Sequence, residues 1–348
     1  MPTTVSALST PKAGAAFENA RIERRDLRPD DVRIDISFAG ICHSDIHQAR
    51  DEWGGAIFPL TPGHEIIGTV VEVGDAVTEH AVGDVVGVGC FVDSCLACPA
   101  CQDGEEQFCE KGVVQTYSDT GFDGEVTYGG YSDQVVVRDH FVVKIPDGVD
   151  LAGTTPLLCA GITTYAPLKR HGVGEGSRVG VIGLGGLGHV AVKIAAALGA
   201  EVTVLSRTDA KKDDGLAFGA THYVATGEDG ALDDLAAGFD LLVNTVGAAV
   251  PIDDFLGLLD RGGAMVNLGA PSESLEVGAF SLLTFRRSLE GSMVGGLPET
   301  QEMLDFCAEH GITATVEVIS ADQVDEYYEK VVDGDVRYRA VIDTSTLA

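Results

Sequence analysis

The sequence predicts an α/β protein of two domains: a β-rich N-terminal half, then a doubly wound parallel sheet. Three observations predict it. The chain has 348 residues, more than the roughly 250–300 at which single cores stop growing. Up to about residue 150 it is rich in β-branched residues and glycine. From about residue 155 strand-like and helix-like segments alternate, the pattern of a parallel sheet with crossover helices.

In the first half, "DVRIDISFAGI", "IIGTVVEVG", "GDVVGVG" and "YSDQVVVRD" read as strands between turns. In the second, "SRVGVIG" (177–183) is an apolar strand, and "GLGHVAVKIAAALGA" (186–200) has helical spacing up to Gly199. "EVTVLS" (201–206) is again a strand. A helix near 209–219, a strand at "HYVA", a helix near 231–237 and a strand at "FDLLVNTV" follow, then a helix near 252–259 and a strand at "GAMVNLG". Beyond about 293 come a helix at "PETQEMLDFCAEHG" and a closing "RYRAVIDT". Periodicity alone does not say which domain these last segments join.

Charge narrows the function. Asp and Glu number 54 against 23 Lys and Arg, a net charge of −31. Such a surface repels nucleic acid and anionic membranes. The acid is spread along the chain rather than gathered in a tail. That pattern suits a halophilic protein in molar salt, where screening reduces self-repulsion, and it implies loss of activity in low salt. There is no apolar run near 18 residues and no charged-then-apolar leader. A cytoplasmic location follows, in which thiols stay reduced.

"GLGGLG" runs from Gly183 to Gly188, between a predicted strand and a predicted helix. It fits the dinucleotide fingerprint. Gly183 permits the tight turn, Gly185 lets backbone approach a pyrophosphate, and Gly188 lets helix and strand pack closely. Gly186 and Leu187 complete the loop, over a helix N-terminus that favours anions. An NAD site usually carries an acid at the end of the second strand. Here Ser206 stands there, followed by Arg207 and Lys211, and a hydroxyl with two cations suits the 2′-phosphate of NADP(H).

Four of the eight cysteines, Cys95, Cys98, Cys101 and Cys109, fall in "SCLACPACQDGEEQFC". The short spacing fits a closed tetrahedral zinc site that braces a loop; disulfides or an iron–sulfur cluster are the alternatives. Of the others, Cys42 lies in "AGICHSDIHQARDEWG" and Cys159 in "TTPLLCAGITTY", while "TPGHEIIG" supplies His64 and Glu65. Taken singly, each reads equally well as a small buried cysteine or a satisfied core histidine.

The order "GICHSD", "GHE", a four-cysteine loop, "CAGITTY" and "GLGGLGH" resembles the zinc-dependent alcohol dehydrogenases of the medium-chain dehydrogenase/reductase superfamily. It is most similar to the cinnamyl-alcohol-dehydrogenase-like branch, over essentially the whole chain. The resemblance implies a catalytic GroES-like domain of residues 1–155 and 294–348 carrying two zinc sites. An NADP(H)-binding Rossmann domain of residues 156–293 lies between them. It implies a catalytic zinc on Cys42, His64 and Cys159 with one open position, Glu65 beside it, and Asp45 orienting the histidine. Ser44 would hydrogen-bond the substrate oxygen, and His47 would carry the proton by way of the cofactor ribose. Thr163 and Thr245 would lie near the cofactor, Ser292 and Val294 near the nicotinamide, and Trp53 in the substrate pocket. Cys90 and Cys307 match no ligand position and are expected to be structural.

The activity implied is hydride transfer between small primary alcohols or aldehydes and NADP(H), with aldehyde reduction favoured in the cell. The assembly implied is a homodimer or a tetramer. Two rivals remain at this point: a sugar or polyol dehydrogenase on the same scaffold, and a non-catalytic NADPH-binding protein.

Overall fold

The computed structural model describes residues 2–271 and 274–348. The chain forms two compact units. One holds the residues up to Cys159 together with Gly295–Ala348; the other is Ala160–Val294. The first boundary thus falls after Cys159 rather than after 155. The reason is packing: Leu158 lies under the strand Val85–Val88, where a Cβ on Gly87 would come within 2.9 Å of its side chain. The second falls after Val294 rather than after 293.

The first unit is built on a seven-stranded sheet in the order Val316–Ile319, Arg339–Asp343, Asp31–Ile41, Ile66–Val73, Val85–Val88, Val143–Lys144, with Gln134–Arg138 also paired to Asp31–Ile41. Only the first two are parallel to each other. The closing "RYRAVIDT" therefore joins this unit: Arg339–Asp343 runs antiparallel to the long strand, with Ala340 opposite Ile41. Beside it, Ala39 faces Ile66, and Gly40 N donates to Glu65 O at 2.9 Å. These two registers bring Cys42, the His64–Glu65 pair and Arg339 to one end of the sheet. Successive residues are buried along these strands, Ile66 with Ile67 and Val341 with Ile342, so this end of the sheet is covered on both faces.

The second unit is a six-stranded parallel sheet in the order His222–Ala225, Glu201–Ser206, Arg178–Ile182, Phe239–Asn244, Leu259–Asn267, Ser288–Gly291. The order reverses between Arg178–Ile182 and Phe239–Asn244, where doubly wound sheets take their ligands. The glycine loop leaves the first of those strands and enters the helix Gly188–Ala197, whose Val190, Ala191, Ile194 and Ala195 are buried.

The helix expected near 231–237 is absent. Only a 3-10 turn, Asp233–Leu235, forms there. Gly230 and Ala237 both take positive φ, 76° and 54°, and too few residues lie between them to repay helix nucleation. Among the described residues no helix is long and apolar enough to cross a membrane.

Candidate metal centres and cofactor loop

Cys42 follows the long strand Asp31–Ile41 and caps the seven-residue helix His43–Ala49. Asp45, in its first turn, is fully buried. A buried carboxylate needs several donors, and Asp45 has them. Its oxygens accept from Cys42 N at 2.8 Å, Gly63 N at 3.2 Å and the Tyr131 hydroxyl at 3.4 Å. His64 Nδ1 lies 3.3 Å away, which leaves Nε2 for a metal. The His64 ring stacks on Tyr117 at 5.7 Å. Loop and helix thus hold one imidazole in one orientation.

Around it, Cys42, His64, Glu65 and Cys159 each offer a ligand atom, all within 4.8 Å of one another. Cys42 and Cys159 Sγ are 4.0 Å apart, close to the roughly 3.8 Å edge of a tetrahedron with Zn–S bonds of about 2.3 Å. The hydrogen bond with Cys159, then His64, draws the Cys42 thiol well below its ordinary range, as a thiolate ligand requires. Glu65 is held by Arg339, which also donates to Ile41 O at 2.9 Å. Its Oε2 has no hydrogen-bond partner and lies against Gly40, where a Cβ would be 2.0 Å away. Burial raises the Glu65 carboxyl to about 8 against the pull of Arg339. An orphaned carboxylate oxygen beside two thiols and an imidazole fits a divalent cation.

The second cluster is equally compact: Cys95, Cys98, Cys101 and Cys109 bring their sulfurs within 4.8 Å. Backbone N–H groups point at them, Cys95 N at Cys109 Sγ and Cys98 N at Cys95 Sγ, both 3.4 Å. N–H donors stabilise thiolates; those of Ala97 and Cys98 draw Cys95 down to about 6. No disulfide links any of the eight cysteines, and the donor set suits a closed zinc site.

In the second unit, Gly183 has φ +88° and Gly188 abuts it, a Cβ there falling 2.1 Å from the Gly183 carbonyl oxygen. A Cβ built on Gly185 would meet nothing within 4 Å, room that a pyrophosphate would fill. Lys211 Nζ donates to Leu184 O at 3.3 Å, beneath the loop. Ser206 closes its strand and Arg207 is exposed beside it. The Thr245 hydroxyl donates to Ile182 O at 2.8 Å, and Thr163 is buried in the helix Ala160–Arg170. Ser292 and Val294 follow the last strand of the sheet, Ser288–Gly291.

Ser44 Oγ lies 3.7 Å from Cys42 Sγ. His47, one turn on, contacts the Glu52 carboxylate through Nδ1, and its ring centroid lies 4.7 Å from that of Trp53, the planes tilted by 31°. Trp53 is 42% exposed, so it does not pack in the core. Sequence reasoning missed Glu52, five residues past His47 in an acidic run, and Arg339, which only strand register reveals. It also expected Cys90 to be structural. Cys90 Sγ donates to Leu158 O at 4.0 Å, and Cys90 is not among the four residues whose ligand atoms gather in the first cluster. Cys307 is a core residue, 3.7 Å from Met303 Sδ.

The Asp45 contacts carry a prediction. Asp45→Asn removes the charge opposite His64 Nδ1 and one acceptor oxygen. The affinity of one zinc per chain should fall about 10- to 100-fold, while the four-cysteine zinc stays bound. Competition with a chromogenic chelator resolves the two; equal loss of both, or of neither, refutes the role given to Asp45.

The alcohol dehydrogenase GroES-like domain family matches residues 28–147, and the zinc-binding dehydrogenase family matches residues 186–309. A probable formaldehyde dehydrogenase of Bacillus subtilis is 58% identical, over 98% of this chain and 97% of its own. The NADP-dependent alcohol dehydrogenase C 1 of Mycolicibacterium smegmatis is 54% identical over 99% of both. A cinnamyl alcohol dehydrogenase structure from Sorghum bicolor superposes with a TM-score of 0.97 at 40% identity, over 99% of both chains.

Proposed function

This chain belongs to the zinc-dependent alcohol dehydrogenases of the medium-chain dehydrogenase/reductase superfamily, and from that premise we propose how its own residues work. The enzyme interconverts alcohols and aldehydes with NADP(H). The observation that carries the site assignment is the Cys42–His64–Cys159 cluster with the orphaned Glu65 oxygen beside it. The cysteine loop holds the second zinc.

When bound, the zinc supplies Lewis-acid polarisation of the substrate oxygen, and the nicotinamide takes or gives the hydride. The chain does the rest. Cys42, His64 and Cys159 would hold the metal, and Asp45 keeps His64 in the tautomer that would ligate through Nε2. Ser44 and His47 lie three residues apart on one helix face. Ser44 accepts a hydrogen bond from the substrate hydroxyl and passes its proton toward His47. Glu52 accepts from His47 Nδ1–H, so Nε2 is the nitrogen left to take that proton. Trp53, against the ring of His47, lines the approach. Gly183, Gly185, Gly186, Leu187 and Gly188 seat the pyrophosphate, and Ser206, Arg207 and Lys211 receive the 2′-phosphate. Thr163, Thr245, Ser292 and Val294 border the rest of the cofactor.

A primary alcohol or aldehyde is the proposed substrate and the cytoplasm the proposed location, a compartment where clustered thiols stay available to metal. A homodimer is favoured by the exposed Phe280, Leu283 and Phe285, 79%, 70% and 49% accessible, beside the sheet's open edge Ser288–Gly291.

The test is NADPH oxidation by benzaldehyde in about molar KCl, the salt the acidic surface calls for, with NADH run alongside. Rapid loss of NADPH that a zinc chelator abolishes is the expected result. Bound NADPH without turnover of any aldehyde would overturn it in favour of a polyol substrate or a non-catalytic role.

A further inference from the structure

We propose that the four-cysteine loop clamps the point where the chain passes from the second unit back to the first, with Glu106 as the positioning residue that transmits the clamp. The consequence for cofactor binding rests on the placement of Ser292 and Val294 beside the nicotinamide.

Glu106 lies within the loop, between Cys101 and Cys109, and is fully buried. A carboxylate there needs partners, and it has two. Oε1 accepts from His140 Nε2 at 2.7 Å, and Oε2 accepts from the backbone N–H of Leu297 at 3.1 Å. Leu297 opens the thirteen-residue helix Leu297–Glu309. Its N–H is one that no helical carbonyl can satisfy, and a negative charge at that end also complements the helix dipole. The loop presses on the same turn a second way. A Cβ on Gly296 would fall 1.6 Å from the Gly104 carbonyl oxygen, and one on Gly104 would fall 2.9 Å from Pro298 Cγ. Glycine at both positions is what allows the approach.

Immediately upstream runs the segment 292–296. Its other end is held in the second unit, where Ser292 N donates to Asn267 O at 3.4 Å. Between the two holds, Val294 takes φ +44°, a left-handed conformation that a β-branched residue keeps only when its surroundings over-determine it. A short stretch fixed at both ends and strained between them moves when either hold is released. The Glu106 hold depends on the wrapped loop, whose interior is little more than its cysteines. A loop so built takes its shape from its metal. The cysteine loop thereby governs residues proposed to face the cofactor without touching it.

The experiment uses the enzyme carrying two zincs per chain and reads NADPH affinity by nicotinamide fluorescence, with thermal midpoints alongside. Glu106→Ala should raise the NADPH dissociation constant about five- to tenfold at full zinc content. Glu106→Gln, which can still accept from Leu297 N, should stay within about twofold. Gly296→Ala keeps the carboxylate but wedges loop and helix apart, and should reproduce the loss; it decides the matter if the alanine variant does not fold. A purely structural role predicts lowered melting temperatures with wild-type NADPH affinity, and that result overturns the proposal. Wild-type protein that fails to bind NADPH would instead refute the cofactor assignment, so the two failures are distinguishable.

Discussion

Cys42→Ala should lower kcat/KM for aldehyde reduction by on the order of 10³-fold and leave one zinc per chain instead of two. Lewis-acid stabilisation of developing charge contributes several kcal/mol, and each 1.4 kcal/mol is a factor of ten in rate. Cys42 supplies one of the two thiols, 4.0 Å from Cys159, and the remaining His64 and Cys159 cannot close a tetrahedral site alone. The substitution is small and buried, so the fold should survive it; NADPH should bind as before, because the glycine loop belongs to the other unit. Elemental analysis, NADPH titration and steady-state kinetics together read the result. A variant with two zincs and full activity would remove Cys42 from the ligand set. One zinc with full activity would remove the metal from the chemistry.

The second large effect concerns cofactor choice. Ser206→Asp places a carboxylate where the 2′-phosphate is proposed to sit. Like charges brought together cost several kcal/mol, so NADPH should bind on the order of 10²- to 10³-fold more weakly. NADH should gain, because an acid at the end of the second strand can hydrogen-bond the ribose 2′-hydroxyl. Ser206 ends Glu201–Ser206, Arg207 is exposed next to it, and Lys211 is held under the glycine loop through Leu184 O. Among the described residues none hydrogen-bonds the serine side chain, so stability should change little. The ratio of kcat/KM for NADPH over NADH is the measurement. An unchanged ratio would mean that the phosphate is recognised elsewhere.

Much of the fold was legible because it is written in local patterns. Asp31–Ile41 and Glu201–Ser206 have the bounds of their apolar runs. The helix expected near 231–237 failed for an equally local reason, glycine and a left-handed alanine at its ends. The four-cysteine loop was readable from spacing, since all four ligands lie within fifteen consecutive residues. The other cluster was not. Cys42, His64 and Cys159 each have a bland reading, and resemblance alone joined them. Arg339 escaped even that, because its place beside Glu65 follows from the pairing of Ala340 with Ile41, which no local pattern encodes.

The distance along the chain between Ile41 and Arg339 also sets an order of events at the ribosome. Cys42, His64 and Cys159 emerge before the second unit, together with all four cysteines of the loop. Arg339, which holds Glu65 and the Ile41 carbonyl, lies 298 residues beyond Ile41. The whole second unit is made in between. A nascent chain can therefore gather its ligand set long before Glu65 has its counter-charge. Because non-local pairings close late and at an entropic cost, the strand Arg339–Asp343 completes the metal centre only after the second unit has been made.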